Sequence, residues 1–142
     1  CCQMVGFAVA SFRENGIGGL LAQGIGTSML QVPNIIKNPR IWLAPTLASA
    51  VTGPIATCIF GMQMNGAPIS SGMGTCGLVG QIGVYTGWLN DITAGAKTAV
   101  TAMDWLGLVL ICFVLPAVLS FAFDLIFRKI GWVKDGDMKI DA

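Results

Sequence analysis

Amides and hydroxyls are the residues in this chain best placed to recognise a solute. Gln23, Thr27, Ser28, Gln31 and Asn34 form one run, and Asn65, Ser70, Ser71, Thr75 and Gln81 form a second. From Ile41 to Asn90 there is no Asp, Glu, Lys, Arg or His, so recognition there must rest on such groups and on exposed backbone. A sugar hydroxyl both donates and accepts, and amides and hydroxyls can answer either half. An anion would ask for Arg or Lys, and a cation for a carboxylate. The residue types fit a neutral polyol, with Gln23, Thr27, Asn34, Thr75 and Gln81 as candidate binding residues. The same groups can equally serve as helix-to-helix glue at ~0.6 kcal/mol apiece.

Gly72-Met73-Gly74-Thr75-Cys76-Gly77 could turn successive N–H groups toward a ligand. It is not a Walker loop, because no Lys-Ser/Thr follows, nor a GxGxxG dinucleotide site, because no βαβ unit flanks it. Bond-breaking chemistry has few candidates. There is no histidine, and Cys1, Cys2, Cys58, Cys76 and Cys112 show no metal-ligand spacing. No catalytic residue, metal site or cofactor is expected. Eight bases scattered over 142 residues make no nucleic-acid surface.

The elements that position these residues belong in a bilayer. Hydrophobic residues make up 54% of the chain and charged ones 11%, against ~25% charged in soluble domains. The charge-free fifty residues contain nine glycines, which suggests backbone that bends, packs closely or touches a solute. Residues 105–127 form one expected span, with Asp104 as N-cap and Arg128-Lys129 at its end. Within it Pro116 should kink the helix, and Asp124 should pair with Arg128 one turn on. Residues 39–62 form the other span, started by Asn38-Pro39 and broken or kinked near its middle by Gly53-Pro54. Trp42, Trp88, Trp105 and Trp132 fall near the span ends, as interfacial anchors do.

Two glycine-rich segments, 16–33 and 72–89, are short for spans. Basic residues mark the cytoplasmic side. If both segments are re-entrant hairpins, the C-terminus is cytoplasmic and seven of the eight bases lie inside, leaving only Lys97 out. Gly19-Leu20-Leu21-Ala22-Gln23-Gly24-Ile25-Gly26 echoes Gly77-Leu78-Val79-Gly80-Gln81-Ile82-Gly83 with one residue deleted. Each copy precedes a span, so the expected fold is an all-α polytopic membrane protein with two full transmembrane helices, two hairpins and a possible inverted repeat. Residues 1–12 read as the end of a preceding helix cut short, 13–129 as the membrane domain and 130–142 as a cytoplasmic tail.

Longer strings carry a resemblance. Gly24-Ile25-Gly26-Thr27-Ser28-Met29-Leu30-Gln31-Val32-Pro33-Asn34 is one, and Lys37-Asn38-Pro39-Arg40-Ile41-Trp42 another. Pro45-Thr46-Leu47-Ala48-Ser49-Ala50 with Gly53-Pro54 follows, then Gly72 to Gln81 and the tail Gly136-Asp137-Met138-Lys139. From about Gly16 onward the chain resembles the phosphotransferase-system enzyme IIC family, and within it the toxin-regulator, perfringolysin-regulator-like branch. The resemblance implies the C-terminal part of a longer, multi-pass bacterial inner-membrane protein, typically a homodimer. Such a protein passes a sugar across the lipid bilayer while partner IIA and IIB proteins relay phosphate. It acts as a phosphohistidine–sugar phosphotransferase only together with those partners. Sugar-conducting members place a carboxylate or a histidine beside the sugar, and the charge-free stretch has neither. A non-transporting membrane sensor, regulator or scaffold is therefore the alternative.

Overall fold

The computed structural model describes residues 1–63 and 66–140, apart from the side chain of Ser71. Every regular element among them is helical: α1 (Cys2–Ala10), α2 (Phe12–Leu21), α3 (Val32–Lys37), α4 (Leu43–Pro54), α5 (Pro68–Ser71), α6 (Val79–Thr93), α7 (Ala102–Val109) and α8 (Leu115–Ile130). Short 3-10 and π turns join several of them. Two continuous helical runs are long and apolar enough to cross a membrane, Pro39–Ile59 with 21 residues and Ala102–Ile130 with 29. At ~1.5 Å per residue both reach across a ~30 Å hydrocarbon layer. Only 28% of each apolar window is buried within the molecule, so most of that surface needs lipid or further protein rather than water.

The first span begins as expected. Asn38 caps it, its side-chain oxygen accepting the Arg40 N–H at 3.2 Å, with Pro39 in the first turn. Of the two expected outcomes at Gly53-Pro54, the helix is not broken. Helix α4 runs through Pro54 into a π turn over Ile55–Ile59, which is one way a helix absorbs a missing donor.

The start of the second span corrects the sequence reading. Its N-cap is Thr101, and Asp104 is the third helical residue of a capping box. Asp104 Oδ2 accepts the Thr101 N–H at 2.8 Å, and Thr101 Oγ1 accepts the Asp104 N–H. Thr101 holds the extended backbone that a cap requires. A π turn over Leu110–Val114 links α7 to α8 just before Pro116, so the proline is accommodated within a continuous run. Gly131, in the left-handed region at φ 81°, closes α8.

The two spans are antiparallel. Phe127 packs with Ile41 and Ala44 at one end, while Gly107 meets the Phe60 ring at the other. Helix α1 lies against both. Gly6 lets it approach Ser120 and Pro45, and Phe7 and Ala10 complete the core. The C-terminal residues fold back onto this core rather than hang free, with Val133 and Met138 buried in it.

Neither glycine-rich segment is a regular helix throughout. In 16–33 the chain leaves helical geometry at Gly16, forms a π turn over Ala22–Gly26, extends at Thr27 and re-forms as a 3-10 turn over Ser28–Gln31. In 72–89 a turn with Gly74, Gly77 and Leu78 at positive φ leads into α6, which continues to Thr93. The two segments touch where Ala22–Gly26 packs on Cys76–Leu78.

Candidate functional site

Where the sequence offered two polar runs, the structure gives them different fates. Gln23 is fully buried and its amide is satisfied at both ends. Its Nε2 donates to Ser11 Oγ at 2.7 Å and to Gly19 O at 3.3 Å, and its Oε1 accepts from Gln31 Nε2 at 2.9 Å. Gln31 Nε2 also donates to Met138 O, and Gln31 Oε1 accepts from Asn34 Nδ2, both at 2.9 Å. Asn34 donates again to Lys139 O. Thr27 Oγ1 caps the following turn by accepting the Met29 N–H. Gln23, Thr27 and Asn34 thus fix the first glycine-rich segment, and a chain of amides binds it to the C-terminal residues. Nothing in the polar spacing pointed to that tail as their partner.

The second run is different. Thr75 is fully buried and Gln81 is 8% exposed, yet Thr75 Oγ1 and Gln81 Oε1 have no hydrogen-bond partner among the described residues. An orphaned buried oxygen costs ~1–3 kcal/mol, so one expects it to be retained for a purpose. The local chain holds both groups firmly. Gly74 O accepts the Gly80 N–H at 2.9 Å across the turn, and a Cβ on Gly74 would come within 2.8 Å of Cys1 N. Leu78 sits in the left-handed region at φ 59°, at a cost of ~1–2 kcal/mol for a residue with a Cβ. Strain of this kind gathers at binding sites. Gln81 Nε2 reaches Cys1 Sγ at 3.4 Å. Of the remaining candidates, Asn65 lies outside the described residues, as does the side chain of Ser71, and Ser70 is half-buried.

A cavity of about 280 Å³ opens between the spans, lined by Cys1, Ser49, Thr52, Gly53, Ala56 and Cys112 among others; neither Thr75 nor Gln81 lines it, and Gln81 adjoins it through its contact with Cys1. None of its lining side chains is charged. Ala56 belongs to the π turn of the first span, and Cys112 to that of the second. Such turns widen a helix and recur at functional sites. The Thr52 hydroxyl donates to Ala48 O and the Ser49 hydroxyl to Pro45 O, which leaves their oxygens able to accept. Among the described residues no three His, Cys, Asp or Glu side chains gather as metal ligands would.

Charge is confined to the two ends. The expected pair of Asp124 and Arg128 is present at 2.8 Å, but Arg128 also binds Glu14 at 2.8 Å and Asp135 at 2.6 Å. Arg13 adjoins Glu14, a partner of Arg128; Arg40 lies over the Trp132 ring, and Lys37 and Lys139 line one surface hollow. With Lys129 and Lys134 beside the end of α8, seven of the eight bases share one end. Lys97 stands at the other, paired with Asp104 at 2.7 Å. The tryptophans divide likewise, with Trp42 and Trp132 at the basic end and Trp88 and Trp105 at the other.

A family model described as "Phosphotransferase system, EIIC" matches residues 1–140. The match also takes in the first fifteen residues, where the motifs alone carried no resemblance. Comparison with curated proteins and with solved structures returns no match. Two antiparallel apolar spans, an uncharged cavity between them and a family match over nearly the whole length agree: the chain belongs to the phosphotransferase-system enzyme IIC family.

Proposed function

We propose that the chain binds a neutral polyol at the uncharged cavity, with Thr75 and Gln81 answering its hydroxyls as it crosses the membrane. As an enzyme IIC protein it is a membrane-embedded component of a sugar phosphotransferase permease and works with IIA and IIB proteins. The observation that carries the finer reading is the pair of buried oxygens, Thr75 Oγ1 and Gln81 Oε1, without partners among the described residues. A sugar hydroxyl supplies what both lack, and the absence of charged side chains in the cavity lining favours a neutral ligand. Gln23, Thr27 and Asn34 belong to this proposed site as the frame of the facing segment. In this reading the glycine-rich segments enter the membrane without crossing it, and the basic end with the C-terminus faces the bacterial cytoplasm. A homodimer is the proposed assembly.

The test is sugar uptake by Thr75→Val and Gln81→Ala variants of the protein that carries this chain. Each substitution should lower uptake by about tenfold or more. Thr75→Val should leave the amount of protein in the membrane unchanged, because it removes an unpartnered buried oxygen. Unaltered uptake in both variants would overturn the assignment.

A further inference from the structure

The second cavity of interest lies at the far end of the spans, where Lys97 is the lone base. It measures about 280 Å³ and is lined by Gln63, Trp88, Asp91, Lys97, Asp104 and Phe60 among others. Lys97 Nζ is held 2.7 Å from Asp104 Oδ2 and 5.2 Å from the centre of the Trp88 ring. Trp88 is buried and meets Trp105 edge to face at 5.7 Å. Asp104 Oδ2 is also fixed by Thr101, from both its backbone N–H and its hydroxyl at 2.8 Å. The cavity therefore has a preorganised wall rather than a loose surface ion pair.

We infer that this cavity is a second sugar-binding site, an entrance vestibule that captures a neutral monosaccharide or alditol before it reaches the cavity between the spans. This rests on the reading of the chain as a sugar permease. An ammonium next to a carboxylate offers a donor and an acceptor side by side, matching the two halves of a hydroxyl. The indole supplies an apolar face for the C–H surface of the ligand. The volume is at the small end of ligand pockets, which run ~300–1,000 Å³, so one sugar ring fits better than two. Position agrees with the role. Phe60 and Gly107 form the inner rim, and a Cβ on Gly107 would come 2.8 Å from Phe60 Cδ1. A side chain there would drive that ring toward the cavity.

The test uses the whole protein, in lipid nanodiscs for binding and in cells for uptake. Tryptophan fluorescence is titrated with D-glucose, D-mannose and D-mannitol in the unaltered protein and in Lys97→Met, Asp104→Asn and Gln81→Ala. The expected result is a saturable response to at least one sugar, weakened in Lys97→Met and Asp104→Asn but kept in Gln81→Ala. For that sugar, uptake by Lys97→Met should show a KM raised about tenfold with its maximal rate unchanged. A response that Lys97→Met and Asp104→Asn leave intact, or an unchanged KM, overturns the vestibule. So does uptake with no fluorescence response, and the permease reading then survives. A response lost in Lys97→Met without uptake of any sugar keeps the binding site and removes the permease reading. With neither response nor uptake, both readings fall.

Discussion

Arg128 gathers three carboxylates, and their burial decides how much each contact is worth. Its own side chain is 10% exposed, while Glu14 and Asp124 are 8% and 3% exposed and Asp135 is 93% exposed. Removing one member of a buried ion pair strands the other charge at ~3–5 kcal/mol, whereas an exposed pair contributes little. Arg128→Leu should therefore lower thermal stability in detergent sharply, while Asp135→Asn should leave it almost unchanged. Unfolding monitored by size-exclusion after heating separates the two, and equal shifts would mean that Arg128 is not held as described. The Asp124 contact was legible because four residues is one helical turn. Glu14 and Asp135 were not, since they reach Arg128 only when α2 and the tail fold onto α8. The same holds for Gln23. Its type promised hydrogen bonding, but only the fold reveals that Ser11 and Gly19 take both its N–H donors and that Gln31 donates to its oxygen.

At the scale of elements, apolar length and cap chemistry made both spans readable, and Asn38-Pro39 fixed the start of the first. The second start was misread by three residues, because Thr101 and Asp104 each suit a cap and only the extended backbone at Thr101 decides. The π turns left no sequence mark beyond a proline nearby. The glycine echo between 19–26 and 77–83 proves a poor guide to local structure. Its first copy covers the end of α2 and a π turn, and its second a left-handed turn and the start of α6. What the glycines do depends on what each faces. A Cβ on Gly80 would strike the carbonyl of Gly74, which is backbone and cannot move aside, while around Gly18 nothing lies within 4 Å. Gly80→Ala should cut the yield of folded protein in the membrane. Gly18→Ala, in an ordinary helical position, should be neutral or stabilising by up to ~1 kcal/mol. Equal yields for the two would remove close packing as the reason for Gly80.

At the scale of the whole molecule, the distribution of charge argues for one orientation. Seven bases at one end, with Lys97 at the other, match the bias by which cytoplasmic ends of membrane proteins keep Lys and Arg. Packing makes this more than a property of sequence. The antiparallel spans put Arg40 and Arg128 at the same end, and the tail folds back there so that Lys139 joins them. The segments between the spans then determine whether both ends can be satisfied. Helix α6, at 15 residues, covers ~22 Å, short of the ~30 Å hydrocarbon layer. It can therefore enter the layer without adding a crossing. Ala96 and Lys134 are exposed at opposite ends and report the outcome directly. With the native cysteines replaced, Ala96→Cys should react with a membrane-impermeant maleimide applied to intact cells, and Lys134→Cys only after permeabilisation. Labelling of both from one side would mean that Ala102–Ile130, the apolar run between them, does not cross. Labelling in the reverse sense would keep the fold and invert it. The vestibule at Lys97 would then face the cytoplasm, placed to release a sugar rather than to capture one.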